Sequence, residues 1–253
     1  MISIECHDVW KSFGRKRVLR GVDLTIAAGE TVVIMGQSGS GKSVLLKHFV
    51  GLLLPDRGTI LVDGQDVTRL NRKKLFELRM RFGMVFQGAA LFDSNTVTEN
   101  VGLAMREHTD MTGTEIRAIV SEKLKMVGLE GVGDKFPAEL SGGMKKRVGF
   151  ARAIAMNPEC VLYDEPTTGL DPIMSDVINT LIIKLADELR ITSVVVTHDL
   201  ASAYKVADRI AMLHDGRVIF HGTPDEVRRT DNAFVRQFIE GRAQGPIVVG
   251  SSE

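Results

Sequence analysis

Short apolar runs alternate with stretches of helical spacing along most of the chain. Residues 31–35 (TVVIM) form a continuous apolar run that is typical of a buried parallel strand. Similar runs at residues 160–163 and 193–196 alternate with helical patterns at residues 172–189 and 200–207. Strands and helices in alternation predict an α/β core.

The pattern is different before the first buried strand. Residues 2–13 and 18–26 are predicted strands, joined by a basic turn at residues 14–17. A helix is predicted over residues 42–53 and is expected to stop at Pro55. Residues 59–62 form another predicted strand, which Asp63 and Gly64 close with a strong turn signal.

Strand signals vanish in the middle of the chain. From residue 88 to 156 helical spacing dominates, and we interpret this stretch as a helical subdomain inserted between the two halves of the sheet. We therefore divide the chain into an α/β core (residues 1–87 and 157–230), a helical subdomain (88–156), and a C-terminal helix and tail (231–253).

Composition narrows the function classes. The 253 residues include 32 basic and 32 acidic side chains, so the net charge of zero gives no basic footprint for nucleic acid. No apolar run approaches the roughly 20 residues that span a bilayer, and the N-terminus lacks the pattern of a secretory signal. Cys6 and Cys160 lie in strand-like contexts and are expected to be small buried hydrophobes. These features favour a cytoplasmic location.

A glycine-rich loop follows the first buried strand and opens a helix. Its sequence fits the phosphate-binding pattern G-x-x-x-x-G-K-[ST], in which converging backbone N–H groups hold phosphate oxygens. We expect the lysine to reach the β- and γ-phosphates of a nucleotide and the last serine to bind Mg²⁺. A flexible Gly/Ser turn is the other interpretation, but the strand before the loop and the helix after it argue against that. The residues are Gly36, Gln37, Ser38, Gly39, Ser40, Gly41, Lys42 and Ser43.

Two adjacent acids end the apolar strand at residues 160–163. Taken alone, Asp164 and Glu165 are best explained as a strand end that reaches solvent. Together with Lys42 and Ser43 they fit a hydrolytic site, because buried acids need a cation or a reacting water to face. We predict Asp164 as a Mg²⁺ ligand and Glu165 as the general base for the attacking water.

One further motif connects these two sites. The segment Leu140-Ser141-Gly142-Gly143-Met144 resembles the signature sequence of ATP-binding cassette (ABC) ATPases, although Met144 replaces the usual glutamine. The resemblance implies a P-loop NTPase core of class α/β, with an antiparallel β-subdomain and an inserted α-helical subdomain. It also implies that Ser141, Gly142 and Gly143 contact the ATP held by a second subunit.

Other family motifs occur in the expected order. Asp171, in Gly-Leu-Asp-Pro, resembles the acid of the loop that crosses the dimer interface. His198, in Thr-His-Asp, resembles the switch histidine at the γ-phosphate, and Gln87 resembles the glutamine that links Mg²⁺ and water to the helical subdomain. Phe13 occupies the place of the aromatic residue that stacks on adenine, and Trp10 is the competing candidate. The resemblance thus implies Glu165, His198, Gln87 and Lys42 as catalytic, and Ser43, Gln87 and Asp164 around the metal.

Weaker features resemble one subgroup. Residues 105–109, Met144, Ile173 and residues 235–241 are similar to the ATPases of Mla/Mce-type transporters, which move lipids between bacterial membranes. This resemblance implies a homodimer beneath an integral membrane permease dimer at the cytoplasmic face of the inner membrane. ATP and Mg²⁺ are the implied cofactors. A small cytoplasmic regulatory subunit and a lipid-binding Mce-type subunit are implied as further partners.

Three alternatives stay open at this stage. An importer of polar amino acids or another small solute would share most of these motifs. A DNA-handling ABC ATPase would share them all, but should show a long coiled coil or a basic face. A P-loop kinase of small molecules would not explain the signature segment or His198. We expect no nucleic-acid partner.

Two apolar segments remain unassigned by these motifs. Residues 89–92 (AALF) lie in a predicted loop and are expected to dock the permease, with packing inside the domain as the other interpretation. Residues 232–241 predict a helix with Phe234 and Phe238 on one side. An extended apolar segment, residues 245–249, follows this helix. We expect that the tail supports the neighbouring ATPase or a regulatory partner, the alternative being a frayed terminus.

Overall fold

A computed structural model describes residues 1–247 of the chain. This part contains ten strands and nine α-helices. The strands are β1 (Ile4–Phe13), β2 (Lys16–Ile26), β3 (Thr31–Met35), β4 (Arg57–Val62), β5 (Gln65–Asp66), β6 (Phe82–Val85), β7 (Cys160–Asp164), β8 (Thr192–Thr197), β9 (Arg209–His214) and β10 (Arg217–Gly222). The helices are α1 (Lys42–Phe49), α2 (Arg72–Met80), α3 (Val97–His108), α4 (Gly113–Met126), α5 (Gly142–Ile154), α6 (Pro172–Leu189), α7 (Leu200–Val206), α8 (Pro224–Arg229) and α9 (Ala233–Ile239).

The strands form two sheets. An antiparallel sheet has the order β2-β1-β4-β5, and a six-stranded sheet has the order β10-β9-β3-β8-β7-β6. In the larger sheet β9, β3, β8, β7 and β6 are parallel, and β10 pairs antiparallel with β9. The carboxyl ends of β3, β7 and β8 therefore meet at one edge, where ligands of open α/β sheets bind. Both the α/β core and the antiparallel subdomain expected from the sequence are confirmed.

The central strands are buried on both faces. Val33 and Met35 of β3 pack in one apolar cluster with the helical subdomain, whereas Val32 and Ile34 pack in a second cluster with α1 and the antiparallel sheet. This alternation follows from the two-residue period of a strand. Cys160 lies in the second cluster, and both it and Cys6 are buried free thiols, as predicted.

The end predicted for the first helix is wrong. α1 ends at Phe49, four residues before the predicted end, so Pro55 does not stop it. Gly51 has φ +61°, and a Cβ atom added there would lie 2.6 Å from Leu75 Cδ1. The chain therefore turns away early because a left-handed glycine fits closely against the segment that contains Leu75.

Four elements, β5, α2, β6 and α8, had no prediction. α2 begins at a recognisable signal, since the Asn71 side chain accepts a hydrogen bond from Lys74 N and caps the helix. β6 has only four residues, and its pairing with β7 gives it the parallel edge position. A strand of this length carries too few side chains to show a period.

Helices α3, α4 and α5 build the segment predicted as a helical subdomain. Capping boxes at Thr96 with Glu99 and at Thr112 with Glu115 start the first two of these helices. Ser141 caps the third. Within residues 1–247 no helix is both long enough and apolar enough to cross a membrane.

The C-terminal helix is attached to the main core. Val235 of α9 is completely buried in the first apolar cluster, and Phe238 and Ile239 pack partly against it. Gln237 then holds the segment that follows: its Nε2 donates to Ile247 O at 3.0 Å, and its Oε1 accepts from Ile247 N at 2.6 Å. The frayed interpretation is therefore wrong as far as residue 247. Residues 248 and 249 of the predicted apolar segment lie outside the described residues.

Candidate nucleotide-binding and hydrolysis site

The glycine loop lies between β3 and α1 and packs closely on its neighbours. Gly36 has φ +154°, and a Cβ atom there would lie 2.2 Å from the backbone oxygen of Leu213 in β9. Gly41 has φ +108°, and its added Cβ atom would lie 3.0 Å from Val18 O of β2. These two positions exclude larger residues, so the loop follows a path that only glycine permits.

The ammonium group of Lys42 lies inside the loop. Its Nζ donates to Gly36 O at 2.7 Å and to Gln37 O at 3.0 Å, and the residue is 7% exposed. Burial lowers the pKa of Lys42, and the nearby carboxylates of Glu165 and Asp164 act in the opposite direction. The loop thus holds a buried cation where the phosphate-binding motif requires one.

The predicted metal ligands are partly assembled. The Ser43 hydroxyl donates to Asp164 Oδ1 at 2.9 Å. A hydroxyl and a carboxylate side by side are the hard oxygen donors that suit Mg²⁺, and the bound ion would neutralise charge on the β- and γ-phosphates. Gln87 is exposed. In residues 1–247 no hydrogen bond connects the Gln87 side chain with Ser43 or Asp164. The backbone oxygen of Gln87 accepts a hydrogen bond from Lys146 Nζ.

Glu165 occupies a strained backbone position directly after β7. Its φ is +50°, in the left-handed region that non-glycine residues avoid, at a cost of about 1–3 kcal/mol. The peptide is held there because Glu165 N donates to Val196 O of β8 at 2.9 Å. The fold therefore fixes the direction in which this carboxylate leaves the sheet.

Three side chains surround the Glu165 carboxylate. His198 Nδ1 lies 2.9 Å from Oε2 and 3.0 Å from Oε1. Lys42 Nζ lies 3.9 Å from Oε1, and Thr168 Oγ1 donates to Oε2 at 3.1 Å. The structure thus brings together Lys42, Glu165 and His198, which are far apart in the sequence. This arrangement places an acceptor for a water proton beside the phosphate-binding loop.

Some residues of this environment were not found from the sequence. Thr168 lies three positions after Glu165. A hydroxyl at this spacing in a short polar loop could have indicated a hydrogen bond to the Glu165 carboxylate. Lys146 is 7% exposed, and its Nζ lies 3.5 Å from Glu165 O. It joins helix α5 to both Glu165 and Gln87, and nothing in the local sequence indicates that contact.

A buried polar chain supports the segment that carries His198. Asn179 Nδ2 donates to Ser202 Oγ at 2.8 Å, and this hydroxyl donates to Asp199 Oδ2. Asp199 also accepts from the first backbone N–H groups of α7 and caps that helix. No local sequence pattern indicates this network, because its members come from two different helices.

The signature segment and the interface loop lie at other helix starts. Ser141 Oγ accepts from Met144 N at 3.3 Å, and Asp171 Oδ1 accepts from Ile173 N and Met174 N at 3.0 Å each. A Cβ atom on Gly143 would lie 2.5 Å from Met174 Cε, so the two segments are neighbours. In the described part of the chain no hydrogen bond or ion pair joins residues 141–143 to the glycine loop.

Phe13 and Trp10 differ in their availability to a ligand. Phe13 is 48% exposed at the end of β1, with Lys11 Nζ 5.7 Å from its ring centroid. Trp10 is half-buried, and its Nε1 donates to Asp8 Oδ1 at 2.6 Å. The geometry favours Phe13 as the aromatic that can stack on a base.

The apolar loop expected to dock the permease is partly internal. Arg152 of α5 donates to the backbone oxygens of Ala89 and Ala90, each at 2.6 Å, and holds both residues at positive φ. Ala89 is buried and Leu91 packs partly on the core, whereas Ala90 is exposed and Phe92 is 53% exposed. The exposed apolar residues of this loop are therefore Ala90 and Phe92, with Leu91 only partly covered.

Comparison with known proteins agrees with this geometry. The family model for the ABC transporter matches residues 19–168, which include the glycine loop, the signature segment and the Asp164–Glu165 pair. The chain belongs to the ABC transporter family and is its ATP-binding, ATP-hydrolysing domain. Cassettes of this family act as dimers with membrane permeases.

Two relatives and one solved structure are informative. A probable ribonucleotide transport ATP-binding protein, mkl, of Mycobacterium tuberculosis is 44% identical over 252 residues, which cover 100% of this chain and 70% of the relative. The intermembrane phospholipid transport system ATP-binding protein MlaF of Haemophilus influenzae is 41% identical over 96% of this chain and 92% of MlaF. The dimeric post-hydrolysis structure of the ATP-binding cassette MJ0796, bound to ADP and Pi, superposes with a TM-score of 0.80 at 37% identity, covering 87% of this chain and 98% of that one.

Proposed function

We propose that this chain is the ATP-hydrolysing subunit of a transporter that moves phospholipids between bacterial membranes. The similarity to MlaF carries the proposal, because it extends over 96% of this chain and 92% of MlaF. The name of the mkl relative gives ribonucleotides instead, so the transported substrate is what the first experiment must decide. The polar amino-acid importer has no comparable support among these relatives.

The site residues have separate roles in this proposal. Residues 36–43 bind the phosphates through backbone N–H groups, and the Lys42 ammonium exchanges its two carbonyl partners for phosphate oxygens. Ser43 and Asp164 hold Mg²⁺. Glu165 orients the attacking water and accepts its proton. His198, already beside that carboxylate, contacts the γ-phosphate once nucleotide is bound.

A second copy of the chain completes the site. Ser141, Gly142 and Gly143 begin a helix whose first N–H groups can bind an anion, yet among residues 1–247 no hydrogen bond or ion pair joins them to the glycine loop of their own chain. In the proposed homodimer they face the ATP of the partner subunit, and Asp171 lies at the crossing between subunits. The similar cassette MJ0796, whose structure with ADP and Pi is dimeric, supports a dimer. Phe13 stacks on adenine.

The remaining assignments follow from the same proposal. The homodimer lies at the cytoplasmic face of the inner membrane beneath a permease dimer. A lipid-binding Mce-type subunit and a small cytoplasmic regulatory subunit complete the transporter, and α9 with the segment held by Gln237 offers an ordered surface near the chain end. Gln87 passes the nucleotide state to the helical subdomain.

The substrate can be tested on the purified complex. Isolation from detergent-solubilised membranes, followed by mass spectrometry of proteins and bound small molecules, should recover an integral membrane permease with phospholipid. ATPase activity of the reconstituted complex should rise with phospholipid and stay constant with added ribonucleoside. Stimulation by ribonucleosides, with no phospholipid bound above a mock purification, would reject the lipid proposal.

In the proposed transporter the exposed ring of Phe92 anchors the chain to the permease. Phe92→Asp should reduce recovery of the permease by at least about tenfold, because an aromatic anchor at an interface often contributes 2 kcal/mol or more. ATP binding by the isolated chain should stay unchanged, since the residue lies outside the nucleotide site. The measurement is affinity purification with quantification of both subunits.

Met111→Asp is the matched control for that experiment. Met111 is another exposed apolar residue, 42% exposed, in the loop before α4. It should leave permease recovery unchanged. Equal recovery with Phe92→Asp and with the wild type would show that the loop does not dock the permease.

A further inference from the structure

Helix α6 has one polar side chain on its buried face. Asn179 is 4% exposed, and within residues 1–247 its Oδ1 has no hydrogen-bond partner. A buried amide with an unpaired oxygen costs free energy, and asparagine is a weak helix former. Packing therefore does not explain its presence. The other buried residues of this helix are all aliphatic: Ile178, Leu181, Ile182 and Leu185.

The amide of Asn179 is connected to the turn that carries His198. Its Nδ2 donates to Ser202 Oγ at 2.8 Å, and this hydroxyl donates to Asp199 Oδ2. Asp199 Oδ2 also accepts from Ser202 N at 3.1 Å, and Asp199 N donates to Thr197 Oγ1 at 3.0 Å. His198 thus lies between two residues that are each fixed by side-chain hydrogen bonds.

The imidazole of His198 depends on its backbone for its position. The residue is exposed, and within residues 1–247 its ring forms hydrogen bonds only with the Glu165 carboxylate. Glu165, His198, Asp199 and Asn179 all line one cavity between the loop after β7 and the starts of α6 and α7. A small shift of this turn would move the ring relative to Glu165, and misplacement by about 1 Å can cost a large factor in rate.

We propose that Asn179 is a positioning residue for ATP hydrolysis, which acts on His198 through Ser202 and Asp199. This role depends on the contact of His198 with the γ-phosphate, which is part of the proposed function. Asn179 itself does not touch the nucleotide. The buried amide is kept, despite its cost to the fold, because its hydrogen bond to Ser202 fixes the turn at the site.

A second polar link between α6 and α7 lies on the outer side of the two helices. Lys205 Nζ donates to Asp176 Oδ1 at 2.5 Å and to Thr180 Oγ1 at 2.8 Å. Thr180 directly follows Asn179 but is exposed. In the described part of the chain, no hydrogen bond or ion pair joins this outer link to Asp199. It therefore provides a matched control on the same pair of helices.

Asn179→Leu and Ser202→Ala each break the inner link and should lower kcat by about tenfold. Their combination should lose no more than either change alone, because both remove the same connection. ADP binding should stay unchanged. The melting temperature of Asn179→Leu should stay constant or rise, because leucine matches the aliphatic neighbours and leaves no unpaired oxygen. A residue needed only for folding would lose stability and activity together, and Ser202→Ala tests the link without a larger side chain.

The same changes should have almost no effect when His198 is absent. His198→Ala alone should hydrolyse slowly, and single-turnover phosphate release with excess protein measures such rates. Adding Asn179→Leu should then change the rate by less than about twofold, because two residues that act through one contact are not additive. A loss of tenfold in both backgrounds would show that Asn179 does not act through His198 and would overturn the proposal.

Thr180→Val completes the experiment as the matched control. It keeps the β-branched shape, removes the contact with Lys205, and should turn over ATP as the wild type does. A loss equal to that of Asn179→Leu would mean that general packing of α6 on α7 is responsible, and would reject the proposal. Wild-type turnover of His198→Ala would reject the proposed γ-phosphate contact, and this role with it. Slow His198→Ala with fully active Asn179→Leu and Ser202→Ala would reject the positioning role alone.

Discussion

Glu165→Gln should abolish nearly all ATP turnover while ATP binding remains. The amide keeps the size of the side chain and its position after β7, but it cannot accept the proton of the attacking water. Loss of the general base should lower the rate constant of hydrolysis by at least about 100-fold. Each factor of ten corresponds to about 1.4 kcal/mol of activation barrier. Steady-state phosphate release and equilibrium nucleotide binding measure the two effects.

The same variant should accumulate as an ATP-bound dimer. Hydrolysis normally ends that state, so light scattering after size exclusion should show dimer with ATP and less dimer with ADP. Glu122→Gln is the matched control, because it makes the same change on an exposed part of α4 and should behave as the wild type. Turnover close to wild type in Glu165→Gln would eliminate Glu165 as the base.

Two inactive chains should regain activity when they are mixed. Lys42→Ala removes the cation from the glycine loop, and Ser141→Arg blocks the signature segment that faces the partner's nucleotide in the proposed dimer. In a mixed dimer one composite site carries both changes and the other carries neither. We expect each variant alone to be nearly inactive, and the mixture to recover a substantial part of wild-type turnover.

The mixing experiment needs two controls. Ser141 also caps α5, so Ser141→Ala reports the cost of losing the cap, about 1 kcal/mol of stability, without the block. Differently tagged chains establish that mixed dimers form. Mixed dimers that form and remain as inactive as their parents would show that the site is not shared between chains.

The sequence predicted the parts of the site that are built from short continuous segments. The glycine loop, the Asp164–Glu165 pair and His198 each follow a buried strand, and apolar runs reveal such strands well. Because the carboxyl ends of parallel strands meet at one edge, their proximity could be expected from the pattern. The 3.9 Å between Lys42 and Glu165 agrees with that expectation.

What the sequence could not supply were contacts between distant elements. Lys146 and Arg152 are ordinary basic residues on a helix, yet one reaches the backbone of Gln87 and the other holds Ala89 and Ala90. In the loop held by these bonds Leu91 is partly buried and Phe92 is exposed. Likewise, the early end of α1 depends on how Gly51 fits against Leu75, which no local signal encodes.

The ammonium of Lys42 has consequences for how tightly the protein retains its nucleotide. Its two carbonyl partners, Gly36 O and Gln37 O, belong to the loop itself, so the loop supplies acceptors for this cation independently of a ligand. Nucleotide entry replaces hydrogen bonds instead of adding them, and the net gain is smaller than the contacts in the bound state suggest. The same carbonyl groups lower the barrier to departure of the nucleotide, because the ammonium keeps hydrogen-bond acceptors when the phosphates leave. An ATPase that must release ADP in every cycle benefits from a binding loop whose own carbonyl groups can hold the lysine.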